Sequence, residues 1–152
     1  MTTDFALNKC MKLCSTKEYA PSDIFKKLID WGITEPAAEK LIAQLKKEKF
    51  LDEFRFARYF ANDKYRFNKW GKAKIKLMLR NKDISDDAIN EALSQINDEE
   101  YNEIVLSELK KKRKTIKDTD PYMIRGKLFQ FASGRGIESG LIHKLIDRII
   151  KE

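Results

Sequence analysis

Ten cations stand within residues 55–82: Arg55, Arg58, Lys64, Arg66, Lys69, Lys72, Lys74, Lys76, Arg80 and Lys82, against one acid, Asp63. From Asp83 to Glu108 the sign reverses, with nine acids and no base. A second basic run, Lys110 to Lys114 with Lys117, then precedes Asp118 and Asp120. Acids in the first turn of a helix and bases in the last answer the helix dipole, which explains part of this segregation. An excess of nine positive charges over residues 55–82 remains. Cations at that density suit contact with an acidic protein surface or a phosphate backbone. Phe50, Phe54, Phe56, Tyr59, Phe60, Tyr65, Phe67 and Trp70 fall in the same region, half of the chain's sixteen aromatics. Phe56 and Phe60 are expected in a core. Phe54, Tyr59, Tyr65 and Trp70 fall around the helix, so some aromatics should be exposed among the cations, where they could stack on bases or anchor an interface.

Residues arranged for catalysis are not found. The one histidine, His143, lies on an amphipathic stretch with no partner nucleophile or ligand in sequence. Gly134, Arg135 and Gly136 form a turn and lack the Lys-Ser/Thr of a phosphate loop. Cys10 and Cys14 are four apart on one helical face, with no second pair to complete a zinc site. They read as structural thiols in a reducing compartment. The sequence predicts no enzyme, no metal and no cofactor.

The elements that position the cations follow from an internal repeat. The apolar series Ile24, Leu28, Ile33, Ala38, Ile42, Leu45 recurs 51 residues on as Ile75, Leu79, Ile84, Ile89, Leu93, Ile96. It recurs after 53 more as Leu128, Ala132, Ile137, Ile142, Ile146, Ile149. The four-residue steps lie on one helix face, and a five-residue step breaks the helical period and marks a junction. Ile84 before Ser85, with Ile89 following, reads as a hydrophobic staple across an N-cap. Ile33, Thr34 and Ala38 repeat that arrangement with Pro36 in the first turn, whereas Glu138 is a poor cap for the third copy. Upstream, Asp52 caps a helix through Phe56, Ala57 and Phe60, with Leu51 stapled to Phe56. Asn97 and Glu100 make a capping-box pattern, and Asp4 opens the first helix.

Nine helices in three groups are therefore expected, at residues 1–50, 51–97 and 98–152. The fold class is all-α, with three tandem three-helix repeats forming an elongated, curved molecule. Six Gly and three Pro in 152 residues agree with helices. No apolar run is long enough to span a bilayer, and MTTDFALNKCMKLCST reads as no leader peptide. A cytoplasmic monomer is expected.

The segment from Lys49 to Leu93 resembles the signature region of the RecX family of RecA regulators. The resemblance is carried by Leu51, Asp52, Glu53, Phe56, Ala57, Lys64, Arg66, Gly71, Ile75, Leu79, Ile84, Ile89 and Leu93. Two departures stand out: Asp83 where a glycine often precedes the isoleucine, and Glu53 in place of a second aspartate. The resemblance implies a non-enzymatic modulator that binds RecA and its filament on single-stranded DNA, suppressing recombinase, ATPase and coprotease activity. Arg55, Arg58, Lys64, Arg66, Lys72, Lys74, Lys76 and Arg80 are the candidate contact set, with weak direct DNA binding possible through the same face. Two rival readings remain. One is a DNA-binding helix-turn-helix whose recognition helix, Asp86 to Gln95, is unfavourably acidic. The other is a scaffold for a different acidic protein.

Overall fold

The computed structural model describes residues 1–151. Among them are nine α-helices and no strand: α1 (Thr3–Thr16), α2 (Pro21–Asp30), α3 (Glu35–Lys47), α4 (Glu53–Phe67), α5 (Lys72–Asn81), α6 (Asp86–Ser94), α7 (Asp98–Thr115), α8 (Pro121–Gly134) and α9 (Ser139–Lys151). The fold is all-α.

Local chemistry sets most helix starts. The Asp52 carboxylate accepts from the N–H groups of Phe54 and Arg55 at 2.9 and 3.1 Å. Ser85 Oγ accepts from Ala88 N at 3.2 Å, and Asn97 Oδ1 from Glu100 N at 2.9 Å. Pro21, Pro36 and Pro121 sit in first turns, where no N–H is needed. Three expectations change. Thr2, not Asp4, caps α1 through a 3.2 Å bond from Phe5 N. Thr34 occupies the capping position of α3, but its hydroxyl makes no cap bond. Glu100 does not close a reciprocal capping box, because its carboxylate engages Arg66.

The two five-residue steps in the repeat have separate causes. In the first, the N–H of Ile33 reaches Leu28 O at 3.0 Å, Ile84 reaches Leu79 O at 3.1 Å, and Ile137 reaches Ala132 O at 3.2 Å. Each bond closes over a left-handed residue: Gly32 at φ +88°, Asp83 at φ +59° and Gly136 at φ +79°. This is the six-to-one bond of a Schellman cap. Asp83 thus adopts the left-handed geometry although it is not glycine. The second five-residue step is the staple, and Ile33, Ala38, Ile84, Ile89, Ile137 and Ile142 are all buried. Ile42 and Leu93 are only half-buried, one helical position off the core; Leu41 and Ala92 take the buried places.

The residues group into two compact units: 1–59 with 79–92, and 60–78 with 93 onward. In the first, α1 and α2 pack on α3 around Ala6, Cys10, Ile24, Leu28, Leu45 and Leu51. In the second, α7, α8 and α9 pack on one another, burying Tyr101, Leu109, Leu128, Ile142 and Ile146.

Candidate partner-binding face

In the second unit the end of α4, the connection through Trp70 and Gly71, and the start of α5 bring cations and aromatics together. Lys74 Nζ lies 4.5 Å from the centroid of the Trp70 ring and Lys64 Nζ 5.2 Å. Phe60 meets Trp70 edge to face at 6.2 Å between centroids. The negative ring faces hold the ammonium groups without neutralising them. Beyond its sequence neighbour Asp63, at 3.8 Å, Lys64 has no carboxylate partner; Lys74 and Lys76 have none at all among the described residues. Phe67, at the end of α4, is 77 % exposed.

The other five candidate cations are engaged within the chain. In the first unit Arg55 Nε bonds Glu18 at 2.5 Å, while its terminal nitrogens reach the carbonyls of Lys49 and Phe50 at 3.1 and 3.3 Å. Arg58 pairs with Glu91, and Arg80 with Asp86 at 3.4 Å. In the second unit Arg66 forks onto Glu100 at 2.8 and 3.3 Å, which raises the guanidinium pKa; Tyr65 adds a further bond. Lys72 Nζ reaches Asp98 at 2.9 Å. The acidic block at 83–108 therefore supplies partners to the basic block before it. Segregated charge along the chain becomes paired charge in space for Arg58, Arg66, Lys72 and Arg80.

The start of α5 is held by a network with no sequence-local sign. Gly71 N–H donates to Arg135 O at 2.7 Å and Ala73 N–H to Gly136 O at 3.0 Å. Between them Lys72 N–H donates to the hydroxyl of Tyr101 at 2.9 Å, and that hydroxyl donates to Glu138 at 2.6 Å. Three otherwise orphan donors of the first turn are thus satisfied by α7 and the α8–α9 turn. Burial, then the bond to Glu138, raises the Tyr101 pKa strongly and keeps the phenol neutral. Glu138 lies just before α9 and spends its carboxylate here instead of on a cap. A residue 37 positions from its partner leaves no local trace. In the α1 core, burial raises the Cys10 thiol pKa, and burial with the neighbouring Cys10 pushes Cys14 up to about 11. Neither is poised as a nucleophile.

The described residues contain no group of three or more metal-ligating side chains, and no helix long and apolar enough to cross a membrane. Residues 52–93 match the family described as RecX, second three-helix domain. Regulatory protein RecX of Clostridium acetobutylicum is 32 % identical, aligned over 97 % of this chain and 70 % of that protein. The chain belongs to the RecX family. Regulatory protein RecX of Chlorobium phaeobacteroides is 29 % identical over 96 % of this chain and 94 % of its own length. The crystal structure of RecX from Lactobacillus salivarius, 18 % identical, superposes with a TM-score of 0.85 over 99 % of this chain and 97 % of that one. A second RecX crystal structure gives a TM-score of 0.86 at 21 % identity, covering 95 % of this chain and 71 % of that one. The two RecX structures support the fold. The RecX signature residues are chiefly architectural: Leu51, Phe56, Ala57, Gly71, Ile75, Leu79, Ile84 and Ile89 are buried, and Asp52 is a cap.

Proposed function

We propose that this RecX-family chain is a non-enzymatic, cytoplasmic regulator that binds RecA and the RecA–single-stranded-DNA filament as a monomer and inhibits recombinase, ATPase and coprotease activity. Membership of a family whose curated members are named regulatory proteins carries the reading. The charge geometry supports it. Lys64 and Lys74, gathered at Trp70, and Lys76 further along α5 keep their charges largely unanswered within the chain and suit an acidic protein surface. The paired cations Arg55, Arg58, Arg66, Lys72 and Arg80 complete the proposed contact set. They contribute where a partner's acid can share or replace the internal one. The three groups at 1–50, 51–97 and 98–152 would offer repeated contacts to a partner that is itself repetitive, so that modest contacts add as avidity.

Direct contact with single-stranded DNA is a second reading, favoured by an aromatic, Trp70, set beside the cations Lys64 and Lys74, the combination of ring and charge that single-strand sites use. Immobilised protein challenged with RecA, preformed RecA–single-stranded-DNA filament, naked single strand and naked duplex separates these readings. Retention of the filament above the naked nucleic acids is expected. Retention of duplex without filament overturns the proposal, and retention of naked single strand as strong as that of filament favours the second reading.

A further inference from the structure

Helix α8 carries a glycine where a helix gains nothing from one. Gly126 lies in the middle of Pro121–Gly134, and a Cβ placed there meets nothing within 4 Å. A mid-helix glycine is unfavourable relative to alanine, because its backbone loses more freedom on folding. No close approach within this chain requires it, unlike Gly71 and Gly136. Gly126 instead lines an open cleft of about 560 Å³ whose walls combine Tyr122, Met123, Phe129 and His143 with the cations Arg125 and Lys127. Tyr122 and Phe129 flank the glycine at i−4 and i+3 on one helix face. The ring of Tyr122 is 80 % exposed and Met123 is 44 % exposed. Phe129 is fixed by stacking on His143, with centroids 5.0 Å apart. An aromatic, a thioether and a dent in a helix make a socket for an apolar side chain.

The surrounding charge specifies what carries that side chain. Helices α8 and α9 hold five Lys and Arg (Arg125, Lys127, Lys144, Arg148, Lys151) and one acid, Asp147. Asp147 bonds Arg125 at 2.5 Å and lies within electrostatic reach of Lys151 and His143. The charge around the socket is therefore net positive, while Tyr122, Met123 and Phe129 supply an apolar part of its lining. Arg125 and Lys127 line the cleft while each also pairs with an acid of its own chain, Asp147 and Asp118. Their charge can be shared with a few carboxylates beside an apolar anchor, whereas a nucleic-acid strand demands a continuous row of unpaired cations. We infer that the Tyr122–Gly126–Phe129 cleft is a docking socket for an acidic protein segment, which seats one apolar anchor over Gly126 with its carboxylates facing the surrounding cations. Such a segment is an amphipathic helix with anchors at helical spacing. This inference does not depend on the RecA reading, because the cleft is defined by its own residues.

The probe is a fluorescein-labelled glutamate-rich helical peptide of about twelve residues with leucines at i and i+4. Its anisotropy is read against the full chain, beside a control peptide with serine at both anchors and a single-stranded oligothymidylate. Expected is saturable binding of the leucine peptide. Tyr122→Ser and Gly126→Gln should each weaken it about tenfold, the scale of one lost anchor. Because the dent is open and glutamine is a better helix former, Gly126→Gln should leave the melting temperature equal or higher, which separates a filled socket from a damaged fold. Absence of saturation at millimolar peptide, equal binding of the serine control, or indifference to both substitutions overturns the inference. Binding of the oligothymidylate alone, lost in the same variants, replaces it with a nucleic-acid site.

Discussion

Gly71 and Gly136 meet backbone to backbone. A methyl group on Gly71 would overlap the carbonyl of Gly136, and one on Gly136 would overlap the backbone of Lys74. The N-terminus of α5 is seated against the α8–α9 turn by this contact, so neither chain can retreat without losing the hydrogen bonds described above. Gly71→Ala should lower unfolding free energy by about 3 kcal/mol, as overpacking against a rigid backbone does. Gly136→Ala should cost at least as much, since its φ of +79° adds strain. Gly32, at φ +88° with open space around it, isolates the conformational part, about 1 kcal/mol in Gly32→Ala. Urea unfolding of the three variants checks the order; equal losses at Gly32 and Gly71 would contradict the contact.

Asp83 holds the left-handed position that Gly32 and Gly136 hold in the equivalent caps after α2 and α8. Asp83→Gly should therefore stabilise the chain by about 0.5–1 kcal/mol, and Asp83→Ala should destabilise it by a similar amount. A rising series of urea midpoints from Ala through Asp to Gly is the expected result. A glycine variant below wild type would mean that the aspartate makes a compensating contact.

Tyr101 is the hinge-pin of the α5 seat because its hydroxyl both accepts from Lys72 N–H and donates to Glu138. Tyr101→Phe deletes both bonds and leaves a part-buried amide unmatched, a loss of about 2 kcal/mol. Tyr122→Phe, at an exposed ring, should be neutral. Tyr101→Phe combined with Glu138→Gln should cost less than the sum of the two singles, since each removes the same bond.

Cys14 is held neutral by burial and by Cys10, with its pKa pushed up to about 11 from 9.0. Between those values the folded thiol keeps its proton while the unfolded one loses it. Stability from this group is thus full below 9.0 and declines as pH rises through about 11. Alkylation by iodoacetamide follows the thiolate, so at pH 8 the folded Cys14 should react about a hundredfold more slowly than in urea. Rapid labelling in the folded chain would show that the site is more open than described.

The apolar series was legible in sequence because its spacing is set by backbone geometry. Leu28 to Ile33 spans one six-to-one hydrogen bond, and Ile33 to Ala38 one staple, so both steps of five recur wherever the motif does. The caps at Asp52, Ser85 and Asn97 were legible for the same reason, each acting within three residues. Long-range polar choices were not. Arg55 reaching out to a partner and Arg55 clasping Glu18 and two carbonyls are the same letter in the same helix. Nor does a sequence distinguish Ile42 from Leu41, adjacent apolar residues on α3, when a small rotation of the helix decides which enters the core.

The division of the cations into engaged and unanswered groups makes the last prediction. Arg55→Ala removes a charged bond and two carbonyl contacts from a part-exposed side chain, so it should lower stability by about 1 kcal/mol. Lys74→Glu with Lys76→Glu breaks no ion pair but gives up the Lys74–Trp70 contact, so it should lower stability by no more than about 1 kcal/mol. If the unanswered lysines face RecA, the same double reversal should weaken inhibition of the filament ATPase about tenfold, and added salt should weaken the wild-type effect more than that of the variant. Undiminished inhibition by the Lys74/Lys76 reversal would move the interface away from the Trp70 face. A loss confined to Arg55→Ala would show that stability, not contact, had been measured.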